Sequence, residues 1–481
     1  MQTCDRIVGN YAILTIQGGA AMIRITDNGV NRREFLRIGS LALGGLALPQ
    51  LLQAQESRRM VKDKAVVMLF LQGGPSQLET FDPKMTAPAE IRSVTGEIAT
   101  RLPGVTFGSD FPKLAALADK FAIVRSFASG NGEHQNYVVV AGGDNPTKAP
   151  MGTLYARIAG PNEPRTGVPN NVIVPAEAVS PGLRLPSNFE TQSLQKLVAS
   201  SQNLGANYAF FDPSGGGELR QNLELRIPQN RLTDRRNLLN QLDTFRRQAD
   251  RTRAFDSANA HEQQAYDLLL RGVAQAFDLS REDPRLLSCY DTSNHFSLAD
   301  VHRWGDMRRS SNLLGKQMLL ARRLVEHGCG FVTVMDAGWD MHSNNNSPTN
   351  MAGMHWLGRQ VDHAVAAFLE DVEARGLSDK IMLIVTGEMG RTPRINRNGG
   401  RDHWANLTPL LIAGGGLRMG QVVGQSDRTA GSPATERYSP RHLLGTVMET
   451  LFNTGEVRLQ SDLPREVVSA VTGGTVIREL F

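Results

Sequence analysis

Cysteine is scarce in this chain, with three in 481 residues. Cys4 falls in the N-terminal stretch, so only Cys289 and Cys329 remain, and a disulfide scaffold is excluded. No run of lysine or arginine interleaved with aromatics occurs. A formal net charge of +4 over this length is also too small for a nucleic-acid footprint, so no nucleic-acid partner is expected. No internal repeat stands out, and Gly74-Pro75-Ser76-Gln77-Leu78 is not a G-x-S-x-G nucleophile elbow, which leaves Ser76 as a turn former. What is present is ordinary for a soluble globular protein, 41% hydrophobic and 21% charged. The length gives room for one large domain or two to three smaller ones.

The N-terminus reads as an export signal over residues 1–55. Asn31-Arg32-Arg33-Glu34-Phe35-Leu36-Arg37 precedes Ile38 to Pro49, a short apolar segment broken by Gly39, Gly44 and Gly45. Paired arginines before such a segment form a twin-arginine leader, with Met22 a better-placed start and cleavage near Ala54. The segment is too short and glycine-rich for a comfortable membrane span, and an uncleaved anchor is the alternative reading. The expected partner is the twin-arginine export machinery, the expected location periplasmic or secreted, and no stable span is expected after leader removal. That route carries folded proteins, which suits a chain that acquires its metal before export.

The body of the chain alternates strands and helices. Val66 to Leu71 is a continuous apolar run of the kind a parallel strand buried on both faces requires. Gln72-Gly73-Gly74-Pro75-Ser76 then forces a turn at its carboxyl end, the edge at which open α/β sheets place ligands. Phe121 to Val124 is a second buried run, and the loop after it carries His134, a candidate ligand or acid–base group; capping the next segment is the plainer role. Leu313 to Val325 keep helical spacing, Gly328 ends that helix, and Phe331 to Met335 form the next strand. Behind it, Asp340 and His342, two apart, can turn the same way in an extended segment and bind one metal, with Asp336 as a third candidate. A hydrogen-bonded Asp/Asn turn is the other reading. A helix from His355 to Arg375 and a strand from Lys380 to Thr386 complete a parallel strand–helix–strand unit. Glu388 follows as a metal ligand or general base and Arg391 as an anion holder, with a mutual salt bridge as the alternative. Last, His403 stands in a polar loop before an apolar strand, Leu407 to Ile412, which can aim its imidazole into a site.

Residues 150 to 310 are less informative. Pro-, Asn- and Gly-rich stretches at Gly160–Asn171 and Ser214–Gly217 look like loops or a cap, and Leu232 to Arg253 reads as an amphipathic helix with a solvated basic face. His295, His302 and Trp304 can line a pocket, without ligand spacing.

Five ordered motifs together resemble one bacterial family. They are the paired arginines, Gln72-Gly73-Gly74-Pro75-Ser76 with Thr80-Phe81-Asp82-Pro83-Lys84, Gly338-Trp339-Asp340-Met341-His342, Gly387-Glu388-Met389-Gly390-Arg391-Thr392-Pro393 and Gly400-Arg401-Asp402-His403-Trp404. The family is the domain of unknown function numbered fifteen hundred and one, itself similar to the alkaline phosphatase and sulfatase superfamily. The resemblance implies an α/β fold of the alkaline phosphatase type, a three-layer sandwich with a largely parallel central sheet and helices on both faces. It would form a single domain over residues 60–481, with a cap or insertion at about 160–310. Asp340, His342 and His403 resemble the superfamily's metal ligands. Gln72 stands where its first aspartate ligand is expected, and Met389 where an imidazole is, so one half of a two-metal site is kept.

The function this implies is an exported hydrolase acting on a sulfate or phosphate ester of a small molecule or polysaccharide. One divalent metal ion, zinc, calcium or similar, would sit on Asp340, His342 and His403, with Asp336 nearby. Glu388 or His134 would handle protons and Arg391 would stabilise negative charge. The alternative is a catalytically degenerate relative that binds glycan or an envelope partner without turnover.

Overall fold

Seven apolar strands build the centre of the structure, a computed structural model that describes residues 13–17, 20–24, 59–135, 137–180, 182–186, 201–214 and 273–481. They are β1 Ala65–Gln72, β2 Phe121–Val124, β3 Asn171–Val174, β4 Phe331–Ala337, β5 Ile381–Thr386, β6 Leu410–Gly414 and β7 Gln421–Val423. Their order in the sheet is β7-β2-β6-β5-β1-β4-β3. Every pairing is parallel except the two made by β6, which runs against both β2 and β5.

The pleat divides β1 between two cores. Ala65, Val67, Leu69 and Leu71 face one apolar layer with α2 Leu314–Glu326 and α3 Met354–Ala374. Val66, Met68 and Phe70 face the other, with α1 Met151–Ala159, α4 Pro440–Leu451 and α5 Arg465–Thr472. Helices on both faces leave no solvated side, hence unbroken apolar strands rather than alternating ones. The expected α/β three-layer arrangement with a largely parallel sheet is what the chain adopts.

The antiparallel direction of β6 has a consequence for function. Because β6 enters the sheet at the edge where β1, β4 and β5 leave it, His403 ahead of β6 meets the loops after those three strands. Asn171–Val174, inside the stretch expected as a cap, forms the edge strand β3.

The chain separates into Met1–Arg59 and Met60–Phe481. The first unit is described as an antiparallel hairpin, Ile13–Gln17 against Ala20–Arg24. The paired arginines and their apolar run lie outside the described residues, as does the helix expected over Leu232 to Arg253. No helix among the described residues is long and apolar enough to cross a membrane. Cys289 is exposed, Cys329 is buried, and both are free.

Candidate metal centre

Loops from four strands converge at the carboxyl edge of the sheet. His134 follows β2, Asp340 and His342 follow β4, Glu388 and Arg391 follow β5, and His403 precedes β6. Gly73 ends β1 at a φ of +119°, where a Cβ would sit 2.4 Å from the backbone nitrogen of Asp340, so only glycine lets the β4 loop cross here. Gly400 does the same for the His403 loop, since its Cβ would fall 2.3 Å from the His342 carbonyl carbon. Gly390-Arg391 and His403-Trp404 pair as a two-residue antiparallel ladder that sets Arg391 opposite His403. Arg401 pins this loop from below: fully buried, it meets the equally buried Glu79 at 2.9 Å and donates to the carbonyls of Ile91 and Arg92.

Three imidazoles surround one carboxylate oxygen. His342 Nε2 lies 3.0 Å and His403 Nε2 3.2 Å from Asp340 Oδ1, and His134 Nε2 lies 3.7 Å from it. The His342 and His403 Nε2 atoms are themselves 3.0 Å apart. His134, Asp340 and His403 offer ligand atoms all within 4.8 Å of one another. Each ring is held from behind through Nδ1: His134 by Glu388 Oε1 at 3.0 Å, His403 by the Gly132 carbonyl at 2.9 Å, and His342 by Asp402 Oδ1 at 2.8 Å. These partners are acceptors, which assigns a proton to each Nδ1 and turns the Nε2 lone pairs toward Asp340.

Lone pairs and a carboxylate at such distances repel unless a positive species stands among them. In the chain by itself the Arg391 guanidinium, 2.5 Å from Asp340 Oδ1, does so together with a proton on the imidazoles. Burial acts to lower the His342 pKa, but the hydrogen bond and charge of Asp340, aided by Asp402, outweigh it and the pKa is raised. Burial acts to raise Asp340, but the Arg391 guanidinium and the bonds from His342 and His403 hold it well below the carboxylate range. The nitrogen-rich donor set, with second partners fixing each ring, fits a divalent cation in the proton's place.

Membership of a family is decided by the match of residues 63–481 to the one described as "Protein of unknown function (DUF1501)". The chain belongs to the DUF1501 family. No curated protein matches it by sequence. Solved structures similar to the DUF1501 chain include the lipoteichoic acid synthase LtaP from Listeria monocytogenes, with TM-score 0.30 and 9% identity, over 88% of this chain and 82% of that one. Another is the PsFucS1 sulfatase from Pseudoalteromonas sp., with TM-score 0.25 and 13% identity, over 79% and 67%.

Among the residues singled out by sequence in this DUF1501 chain, Asp340, His342, His403 and His134 come together. Glu388 lies behind His134, fully buried, taking the Gly73 amide at 2.8 Å on Oε1, while its Oε2 has no hydrogen-bond partner. Arg391 is also fully buried. Its Nε donates to the Gly74 carbonyl at 2.8 Å, Nη1 to the Arg401 carbonyl at 3.2 Å, and Nη2 to the Gly73 carbonyl and to Asp340 Oδ1 at 2.5 Å. Glu388 and Arg391 thus each serve other partners. Asp336 accepts the Trp339 indole N–H at 2.8 Å, and burial pushes its pKa up to about 7; neither it nor His342 is among the three groups that share the 4.8 Å cluster, but His342 Nε2 lies 3.0 Å from Asp340 Oδ1. His295 pairs with His363, His302 bonds the Ser310 carbonyl, and Ser76 Oγ accepts the Glu79 amide as a turn residue does.

Several participants carry no mark in the sequence. Asp402 is signalled only by adjoining His403, and Glu79, the Gly132 carbonyl, Asp306 and Asn346 by nothing local. The last two help to line an open cavity of about 730 Å³ over the cluster, together with Glu133, Gln135 and Asn344.

Proposed function

We propose that this DUF1501 chain is a metal-dependent ester hydrolase with one divalent ion held by His134, Asp340, His342 and His403. The reading is carried by one observation: three imidazoles, each tied at Nδ1 to an acceptor, bring their Nε2 atoms within 3.7 Å of a single carboxylate oxygen. Three nitrogens and one oxygen favour zinc or a similar borderline ion over calcium, which takes six to eight oxygens. Such an ion, when bound, lowers the pKa of water and polarises an ester oxygen. Within the chain, Glu388 orients His134 and adds negative charge behind it. Arg391 fixes Asp340 and ties it to the loops after β1 and before β6. Asp402 and the Gly132 carbonyl hold the other two rings in the ligating tautomer.

The paired arginines add export by the twin-arginine route as an expectation, and the resemblance to the alkaline phosphatase and sulfatase superfamily adds a sulfate or phosphate ester of a small molecule or polysaccharide as the expected substrate. The four ligands do not select the acid of the ester; the cavity walls do.

The test is metal analysis of the full chain by mass spectrometry beside a His403→Ala variant, followed by hydrolysis of para-nitrophenyl acetate, sulfate and phosphate. About one zinc per wild-type chain, and a strong loss in the variant together with activity, is expected. A metal-free wild type with no turnover on any ester would sink the proposal and favour a binding protein of the same fold.

A further inference from the structure

The walls of the cavity carry a charge pattern that bears on the substrate. Beyond the ligands they present the carboxylates of Glu133 and Asp306 and the amides of Gln135, Asn344 and Asn346, and no lysine or arginine among the described residues. Asp306 is built in. Its amide donates to the Asn346 carbonyl at 3.1 Å, the Gly305 amide to the Asn345 carbonyl at 3.0 Å, and Asn346 Nδ2 donates to Asp306 Oδ2 at 2.7 Å and to the Asp340 carbonyl at 2.5 Å. The carboxylate of Asp306 is thereby fastened to the loop that carries Asp340 and His342.

Among the described residues, the cations nearby lie behind the wall of this space rather than in it. Arg391 spends its N–H groups on the carbonyls of Gly73, Gly74, Trp339 and Arg401, on Asp340 Oδ1 and toward His342 Nε2, and it does not line the cavity. Arg309 stands 3.6 Å from Asp306 but lines a different, smaller pocket beside Asp336. Arg437 lies against Gly130, on the loop before His134, and is also absent from the walls. Three carboxylates, Glu133, Asp306 and Asp340, thus face the cavity, while the guanidinium charges of Arg391 on Asp340 and Arg309 on Asp306 stand behind its wall, so that an incoming group meets the carboxylates of Glu133 and Asp306 first. Coulomb repulsion in a partly buried cavity acts against any anionic group brought to the proposed ion.

We infer that the site takes an uncharged carbonyl ester on a hydroxyl-bearing carrier, and turns away sulfate and phosphate groups. The inference rests on the metal reading above. The wall amides and carboxylates of Gln135, Asn344, Asn346, Glu133 and Asp306 accept and donate to hydroxyls, the chemistry an uncharged polar carrier offers.

The experiment is calorimetric titration of the zinc-loaded full chain with inorganic phosphate and with acetamide, which is uncharged at neutral pH and carries a carbonyl like that of the ester. Acetamide is expected to bind more tightly than phosphate, and Glu133→Gln with Asp306→Asn to tighten phosphate by about tenfold. Gln135→Lys, at an exposed wall position, gives the same direction without touching Asp306. Zinc content equal to wild type shows that each variant is folded. Phosphate binding as tight as acetamide in the wild type, or phosphate affinity unmoved in both variants, overturns the inference and leaves the metal reading intact. A wild type that takes up no zinc fails the metal reading first, and this inference with it.

Discussion

Two clusters of buried charge in this molecule solve the same problem in opposite ways. Beneath α2 and α3, Arg322, Arg323 and Arg375 meet Glu282, Glu326 and Asp371. Arg322 reaches Asp371 at 2.8 Å, Glu326 at 2.6 Å and Glu282 at 2.9 Å, while Arg375 reaches Asp371 at 2.7 Å and Glu326 at 2.9 Å. Tyr290 adds a hydroxyl to Asp371 at 3.0 Å. Guanidinium forks supply several N–H groups each, so the carboxylates there are answered from within the chain. At the sheet edge, Asp340 is answered by one arginine and otherwise faces imidazole nitrogens. A saturated cluster fastens helices, whereas an unsaturated one held rigidly from behind suits the ion proposed above.

The largest expected effect breaks the saturated cluster. Asp371→Ala takes one of three carboxylates from Arg322, which is fully buried, and one partner each from Arg375 and Tyr290, leaving the buried network short of negative charge. Loss of one member of a buried charge network costs about 3–5 kcal/mol. Urea denaturation should show that loss in metal-free protein, with zinc affinity of the folded fraction unchanged. A loss below about 1 kcal/mol would mean that the helix cluster is not a fastening, and the contrast between the two regions would fail.

The two regions also differed in how far the sequence exposed them. β1, β2, β4 and β5, with α2 and α3, follow from apolar runs and helical spacing because burial on both faces, or along one stripe, leaves that pattern directly. The four-residue β3 and three-residue β7 begin at Asn171 and Gln421 and are set by long-range pairing that no local pattern records. An apolar run likewise does not encode direction, so the reversed β6 was not legible. At the site, His134, Asp340, His342, Glu388 and His403 each stood out as a polar residue beside a buried strand. Which of them faces the cavity was hidden, because it depends on loop crossings such as Arg401 on Glu79, far apart in the chain. The helix cluster announced nothing, since arginines and glutamates on helices ordinarily lie in solvent.

An intermediate case sharpens the comparison. Asp362 on α3 is buried and answered by backbone amides, Leu114 at 2.7 Å and Lys113 at 3.0 Å. Burial pushes its pKa up from 3.8 to about 6, against those amides. A carboxyl raised on folding binds its proton more tightly in the native state. Its contribution is therefore complete below pH 3.8 and is lost as pH rises through about 6, by up to about 3 kcal/mol. Asp362→Asn should remove that slope, so that the stability difference from wild type moves in the variant's favour between about pH 4 and about pH 7. A difference that stays constant over this range would show that backbone amides satisfy a buried carboxylate as fully as guanidinium does.

The smallest expected effect is the most discriminating. Glu388→Gln keeps an oxygen for the Gly73 amide and the His134 ring, but replaces a buried carboxylate, one oxygen of which has no partner, by a neutral amide. If Glu388 serves the site, its neutralisation weakens the hold on His134 and the charge behind it, lowering zinc affinity by about tenfold in a chelator competition. The thermal midpoint of the metal-free protein should hold or rise, since a desolvated charge has been removed. That pairing of signs is the reverse of the one expected for Asp371→Ala, where stability falls and zinc affinity stands. Should Glu388→Gln instead destabilise the metal-free protein and leave zinc affinity unmoved, Glu388 would be a fastening like Asp371, and the sheet edge would lose its claim to be a different kind of cluster.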